Sequence, residues 1–171
     1  EYVRNLAIAK NSHGGLAFVN GEYSAARHYL TESSRYWGEV RAIDRALTFE
    51  AGISIHENSL QIVECEYAII LFDAALDGAR SAGSLLLKLQ EEDPENHRVI
   101  AALGKSFALT GRILESKGEV DLAKDAYVEA SNLFAHAVRL NAAVDGYLLG
   151  LGNSLARIGL LENDIYKLEG A

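Results

Sequence analysis

The chain has 171 residues, an apolar fraction of 49% and a net charge of −8. This length is enough for one domain with a sizeable core, and the acidic charge argues against a nucleic-acid-binding protein, which usually presents a basic face. No apolar run is long enough for a membrane-spanning helix. We therefore expect neither nucleic-acid nor membrane partners.

The single cysteine, Cys65, cannot form an internal disulfide. This fits a reducing compartment, and we expect a cytoplasmic location. The chain contains no methionine and begins at Glu1, so we also expect it to be part of a longer or processed protein.

Apolar residues recur at spacings of three and four in almost every segment, which is the period of an α-helix. Asp121 is predicted to cap the sixth helix, and the Asp93-Pro94 step separates the fourth helix from a fifth that starts near Glu95. The connection near Ile70 and Leu71 has no turn motif. The predicted helices lie near residues 2–19, 23–44, 46–68, 72–92, 96–117, 121–141 and 145–168.

The chain repeats itself. The stretch "VNGEYSAARHYL" at 19–30 aligns without a gap with "SKGEVDLAKDAY" at 116–127, and a third copy lies between them. The predicted units lie near 1–44, 45–92, 95–141 and 144–171, within a single domain of residues 1–171. In register, small residues recur on the first helices at Gly14, Gly111 and Gly159, and on the second helices at Ala26, Ala75 and Ala123.

Small side chains at fixed positions predict close contact between helices. A mid-helix glycine costs about 1 kcal/mol relative to alanine, so three glycines in register indicate that close packing offsets this cost. One helix pair cannot cover its own apolar stripes, whereas stacked pairs cover each other. The expected fold is all-α, with about seven helices in stacked antiparallel hairpins.

The segments "GGLAFVNGEYSAARHYLTES" (14–33) and "GRILESKGEVDLAKDAYVEA" (111–130) resemble the tetratricopeptide repeat, TPR. The small, turn-glycine, alanine and aromatic positions of that family fall on Gly111, Gly118, Ala123 and Tyr127, and its second alanine on Ala130. The usual unit of 34 residues is shorter than the unit found here. The sequence is similar to a longer-helix variety found as a module of large bacterial signalling proteins.

The resemblance implies a right-handed α-solenoid whose first helices line a concave groove. It also implies a non-enzymatic scaffold that binds a protein or peptide there, as the sensor or adaptor module of a larger protein. Two alternatives stay open: a self-association module that forms homo-oligomers, and a small-ligand sensor. The implied groove positions are Asn11, Ser12, Phe18, Glu57, Gln61, Glu64, Tyr67, Lys105, Arg112, Glu115, Ser116, Asn153 and Arg157.

No motif indicates an enzyme, a cofactor or a metal site. "HENSL" at 56–60 has the first His-Glu of a zinc-protease motif but no second histidine, and no phosphate-binding glycine loop or serine elbow is present. In "ECE", Glu64 and Glu66 point to different sides of a helix and do not converge with Cys65. We expect a buried structural thiol at Cys65 and core packing for Tyr36 and Trp37.

Overall fold

A computed structural model describes the backbone of residues 1–68 and 71–169 and the side chains through residue 163, apart from 69 and 70. In these residues the chain is all-helical and has no strand, which confirms the predicted class. A short 3₁₀ turn, Arg45–Leu47, precedes the third helix. The seven α-helices are α1 Tyr2–Val19, α2 Tyr23–Ile43, α3 Thr48–Ala68, α4 Phe72–Glu92, α5 His97–Ser116, α6 Val120–Leu140 and α7 Asp145–Glu169.

The chain divides into two compact units, with the boundary between Glu92 and Asp93. In unit 1, consecutive helices from α1 to α4 pack against each other, and in unit 2 α6 packs on both α5 and α7, with a smaller contact between α5 and α7. The predicted succession of helix hairpins is therefore confirmed within each unit. The single domain, the handedness and the groove stay predictions.

The repeated Gly-Glu motif makes the same turn in both units. Gly21 and Gly118 have φ angles of 78° and 79°, a left-handed conformation that glycine adopts without steric cost. The next amide, of Glu22 or Glu119, donates to a carbonyl five residues back, at 2.9 Å in each case. This is the Schellman pattern that ends a helix. Both copies of the motif therefore end the first helix of a hairpin in the same way.

Two predicted helix starts need correction. Helix α6 begins at Val120, with Glu119 rather than Asp121 at the N-cap, and Asp121 lies in the first turn. At this position its negative carboxylate interacts favourably with the positive end of the helix dipole. Helix α5 begins two residues later than Glu95, because Asn96 is the N-cap and its side-chain oxygen accepts from the amides of Arg98 and Val99.

Two of the three register glycines lie in tight helix contacts, as predicted. A Cβ built on Gly14 would lie 2.8 Å from the Leu30 side chain, and one built on Gly111 would lie 2.9 Å from the Tyr127 ring. Both distances are too short for a real Cβ contact. In each hairpin a large residue of the second helix therefore fills the space that the glycine leaves on the first.

In the α3–α4 hairpin the large residue lies on the first helix and the glycine lies on the second. Its register position on α3 is Val63, which is large, and the side chain of Val63 lies 2.9 Å from a Cβ built on Gly78 of α4. Close packing is thus retained although the glycine has moved to the other helix. The register predicts that the two helices approach closely, but not which of them carries the small residue.

The prediction for Gly159 is wrong. A Cβ built on this residue would meet no atom within 4 Å in the described part of the chain. Gly150, nine residues earlier and therefore on the opposite side of α7, is the glycine that packs on α6, against the Phe134 ring. Among the described residues, no helix covers Gly159 as α2 covers Gly14 and α6 covers Gly111.

The remaining core predictions hold where the structure describes them. Ala26, Ala75 and Ala123 are fully buried, and so is Cys65. Trp37 is buried in the core of unit 1, and Tyr36 packs against the same cluster. Of the predicted α3–α4 connection, Leu71 is described and Ile70 lies outside the described residues.

Candidate functional site

The predicted groove positions of α1 lie at the surface. Asn11 and Ser12 are exposed, and the Ser12 hydroxyl donates to the carbonyl of Ile8 in the preceding turn at 3.1 Å. Phe18 is half-buried and meets the ring of Tyr23 edge-on, with centroids 5.5 Å apart. Phe18 therefore helps to fix the α1–α2 turn, and Asn11 and Ser12 remain accessible.

On α3 the predicted positions are more enclosed. Glu57 is exposed, whereas Gln61, Glu64 and Tyr67 are half-buried. The Tyr67 ring lies 5.6 Å from the ring of Phe72 at the start of α4. The side-chain oxygen of Gln61 is buried without a hydrogen-bond partner among the described residues.

In unit 2 the structure brings two predicted positions together. Arg157 of α7 donates to one carboxylate oxygen of Glu115 on α5, with 3.1 Å between Nη1 and Oε1. The Tyr127 hydroxyl of α6 donates to the other oxygen at 2.8 Å. Glu115 thus joins all three helices of the unit through its two oxygens. The other predicted positions here are half-buried Lys105 and Arg112 and exposed Ser116 and Asn153.

The Tyr127 hydroxyl stays neutral over the ordinary pH range. Its burial and the neighbouring Glu115 carboxylate both raise its pKa strongly, and Arg157 and Arg112 act in the opposite direction. The hydroxyl is therefore a constant hydrogen-bond donor to Glu115. Arg157 is bound to the same carboxylate, and Arg112 lies three residues before Glu115, on the same side of α5. We call Arg112, Glu115, Tyr127 and Arg157 the arginine cluster.

The sequence resemblance assigned Tyr127 only to an aromatic position of the repeat, and it did not predict the hydrogen bond from the Tyr127 hydroxyl to Glu115. The ring packs on Gly111, as that position requires, while the hydroxyl reaches Glu115. Residues 115 and 127 lie on different helices joined by a turn. Their meeting depends on how the hairpin closes, and helical periodicity within either helix does not predict it.

A second polar cluster in unit 2 was also missed. The Asn141 side-chain amide donates to Nε2 of His97 at 3.3 Å, and Nδ1 of His97 lies 2.7 Å from the Tyr147 hydroxyl. Because Nε2 accepts, Nδ1 carries the proton and donates to Tyr147. The Asn141 oxygen accepts from the amide of Ala143 at 3.1 Å, which fixes the amide orientation. These contacts tie the starts of α5 and α7 to the end of α6.

The side chains around Cys65 serve packing. Burial, with Glu64 and Glu66 as further causes, raises the pKa of its thiol to about 11, so the thiol is protonated at neutral pH. Glu66, which is also buried, forms an ion pair with Arg27 at 3.3 Å. Among the described side chains, no three His, Cys, Asp or Glu residues gather closely enough to hold a metal ion.

No protein-family model matches the chain, and the search of curated proteins finds no match. Within residues 1–68 and 71–169, none of the helices combines the length and the apolar character needed to cross a membrane.

Proposed function

We propose that this chain is a non-enzymatic, TPR-like repeat scaffold that binds a protein or peptide and serves as a module of a larger bacterial signalling protein. The sequence resemblance supports the family. The repeated Schellman turn and the tight Gly14 and Gly111 contacts are the packing expected of such repeats. A preformed helical surface binds with little ordering cost to the scaffold.

The binding surface that we propose is the face of unit 2 that carries the arginine cluster. The single observation behind it is that Arg157 of α7 is held on the carboxylate of Glu115 on α5, with 3.1 Å between the two side-chain atoms. One guanidinium group is thereby oriented on packed helices, and Arg112 supplies a second one three residues before Glu115 on the same helix. Guanidinium groups bind carboxylates through paired hydrogen bonds.

The charges of this face favour an acidic segment. The predicted groove positions of unit 2 include the cations Lys105, Arg112 and Arg157 and a single carboxylate, Glu115. These positions therefore carry three formal positive charges and one negative charge, in a chain whose overall charge is −8. A negative peptide is steered to such a local patch, and the attraction weakens as salt screens it.

The test is fluorescence anisotropy with a labelled glutamate-rich peptide, compared with a peptide in which lysine replaces glutamate. We expect binding of the acidic peptide alone and weaker binding at high salt. The Lys105→Glu/Arg112→Glu variant should lose at least about tenfold in affinity, which corresponds to about 1.4 kcal/mol.

The matched control is Arg80→Glu/Arg139→Glu, which reverses two exposed positive charges and so changes the net charge by the same amount. Circular dichroism checks that both variants remain helical. Equal affinities for the wild type and the Lys105→Glu/Arg112→Glu variant would contradict the proposal. An equal loss of affinity in the Arg80→Glu/Arg139→Glu variant would show that overall charge causes the effect and would also contradict the proposal.

A further inference from the structure

The guanidinium group of Arg157 is held from one side only. Its Nη1 atom donates to Oε1 of Glu115 at 3.1 Å, and this is its one hydrogen bond or ion pair among the described residues. The side chain is still 48% exposed. A planar guanidinium group carries two parallel N–H bonds along the edge formed by Nε and Nη2. In Arg157 this edge is open, and it matches the two oxygens of a carboxylate.

The ion pair of Arg27 in unit 1 uses the guanidinium group differently. There it is Nε that lies 3.3 Å from Oε1 of Glu66. The edge formed by Nε and Nη2 is therefore already turned to a carboxylate of the same chain. The comparison shows that an ion pair between neighbouring helices can close the binding edge of an arginine, and that the pair of Arg157 leaves it open.

The Glu115 carboxylate that holds Arg157 is itself fixed. Its Oε2 atom accepts from the Tyr127 hydroxyl at 2.8 Å, so each of its two oxygens has a defined donor. The Tyr127 ring is buried and packs on Gly111, where a built Cβ would lie 2.9 Å from the ring. Gly111 lies about one turn before Glu115 on α5. The packed ring therefore directs its hydroxyl to the carboxylate, and a core contact sets where Arg157 is held.

Stability alone does not account for this arrangement. The side chains of Glu115 and Arg157 are 30% and 48% exposed. Ion pairs at such exposure contribute little to stability, because water screens them and ordering two long side chains costs entropy. An arginine that is already ordered, however, loses less conformational freedom when it binds a ligand. The arrangement is therefore suited to binding.

We propose that Tyr127 and Glu115 are positioning residues that hold Arg157 so that its Nε–Nη2 edge binds one side-chain carboxylate of the peptide through two parallel hydrogen bonds. This inference rests on the proposed peptide-binding function and specifies its ligand as a glutamate or aspartate side chain at one defined position. Lys105 and Arg112 attract the acidic segment through charge, whereas Arg157 recognises that single position.

The charges of the face allow a second carboxylate beside Glu115. The predicted groove positions of unit 2 carry three formal positive charges, on Lys105, Arg112 and Arg157, and one negative charge, on Glu115. A peptide carboxylate raises the negative charges to two, so the positive charges still exceed them by one. The two carboxylates occupy different edges of one guanidinium group, which lies between them and limits their repulsion.

The experiment is an NMR titration of the ¹⁵N-labelled chain, which reports the Nε–H groups of arginine directly. The probe is a short peptide with blocked ends whose only charged residue is one glutamate, compared with the same peptide containing glutamine. We expect the glutamate peptide to shift the Arg157 Nε–H signal and to bind at least about tenfold more tightly than the glutamine peptide. The ratio of the two affinities is the glutamate preference.

Two variants separate positioning from simple attraction. Glu115→Gln removes a negative charge from the face, so attraction alone predicts a higher glutamate preference. Positioning predicts a preference at least about threefold lower, because Arg157 is no longer held. Arg157→Lys keeps the positive charge but lacks the parallel N–H bonds, and should lower the preference by at least as much.

Tyr127→Phe removes only a hydroxyl and should lower the glutamate preference at least about threefold. General loosening of unit 2 would instead weaken binding of both peptides alike and leave the preference unchanged. The matched control is Tyr147→Phe, which also removes the hydroxyl of a buried tyrosine, one that lies 2.7 Å from Nδ1 of His97. Tyr147 lies ten residues before Arg157 on α7, about 15 Å along the helix, so its variant should keep the preference within about twofold. Circular dichroism checks that every variant remains helical.

Three results would overturn the inference. The first is an Arg157 Nε–H signal that does not respond to the glutamate peptide. The second is a higher glutamate preference in the Glu115→Gln variant than in the wild type. The third is an equal preference in the Tyr127→Phe and Tyr147→Phe variants.

The anisotropy test with the glutamate-rich peptide distinguishes this failure from a failure of the proposed function. If that peptide binds and the Lys105→Glu/Arg112→Glu variant loses affinity, any of the three results overturns only the positioning of Arg157. If the glutamate-rich peptide does not bind, the peptide-binding function and the inference both fail.

Discussion

The ring of Phe134 on α6 lies where a side chain on Gly150 of α7 would be: a Cβ built on Gly150 would come within 2.6 Å of the ring. The same ring also lies 3.3 Å from a Cβ built on Gly104 of α5. One aromatic side chain is thus accommodated by glycines of two neighbouring helices. Shape complementarity between large and small residues, rather than any single polar contact, sets the spacing of helices in unit 2.

Glycines in the same repeat register should respond oppositely to alanine. Gly111→Ala places a methyl group 2.9 Å from the Tyr127 ring, so we expect a loss of about 1–3 kcal/mol of unfolding free energy from overpacking. Gly159→Ala meets no described atom and should raise stability by up to about 1 kcal/mol through helix propensity. Urea denaturation in dilute solution measures both, and effects of equal sign would contradict the packing described here.

The buried hydroxyl of Ser33 should matter more than its size suggests. It donates to the carbonyl of Ala7 at 2.8 Å and accepts from the side-chain amide of Asn58 at 2.9 Å, and so connects α1, α2 and α3. Ser33→Ala leaves the Asn58 amide without this partner in a buried site and should cost about 1–3 kcal/mol. The measurement is the urea midpoint, with Ser84→Ala on the exposed side of α4 as the control, expected within about 0.5 kcal/mol of the wild type.

The fold should lose stability below about pH 6.5 through His56. Burial, with Arg41 as a further cause, lowers the pKa of this imidazole below its ordinary value of 6.5. The unfolded chain therefore takes up the proton more readily than the folded chain, so this stability is present above the unfolded pKa and is lost as the pH falls below it.

Urea unfolding at pH 7.5, 6.5 and 5.5 checks the pH effect. The decrease toward pH 5.5 should be smaller in His56→Gln than in the wild type and unchanged in the control His13→Gln, whose side chain is exposed. An equal decrease in the wild type and the His56→Gln variant would assign the pH dependence to other groups.

Cys65 should be unreactive in the native protein. The thiol is fully buried and its pKa is raised to about 11, so only about 0.1% is thiolate at pH 8. A thiol reagent should modify the native chain very slowly and one group per chain promptly in denaturant. Rapid native labelling at pH 8 would show that α3 opens readily or that the thiol is not buried.

Helix positions were predictable because they depend on local chemistry. The spacing of apolar residues defined seven helices to within a few residues, and the glycines Gly21 and Gly118 marked turns that need a positive φ. Helix starts were less predictable. Asp121 was predicted as the cap of α6 from its residue type, but the Schellman turn at Gly118 starts the helix two residues earlier and puts Glu119 at the N-cap, without a side-chain cap bond.

The arginine cluster was predicted only in part. Its members on α5 and α7 were placed by their register in the repeat, but the register does not show that Glu115 and Arg157 bind each other. Tyr127 was assigned to packing alone. Contacts between different helices depend on side-chain reach and on the distance between helix axes, and neither is encoded in the period of one helix.

Local spacing in this chain determined that it would be helical, that it turns at Gly21 and Gly118, and that Gly14 and Gly111 lie in close helix contacts. The three-dimensional packing alone decided that Val63 and Gly78 exchange the roles played by Gly111 and Tyr127, and that Gly159 lies open. The reason is that a helix contact requires only that paired volumes fit together. Many distributions of large and small residues between two helices meet this condition. The spacing within one helix therefore does not show which helix carries the large residue and which the small one.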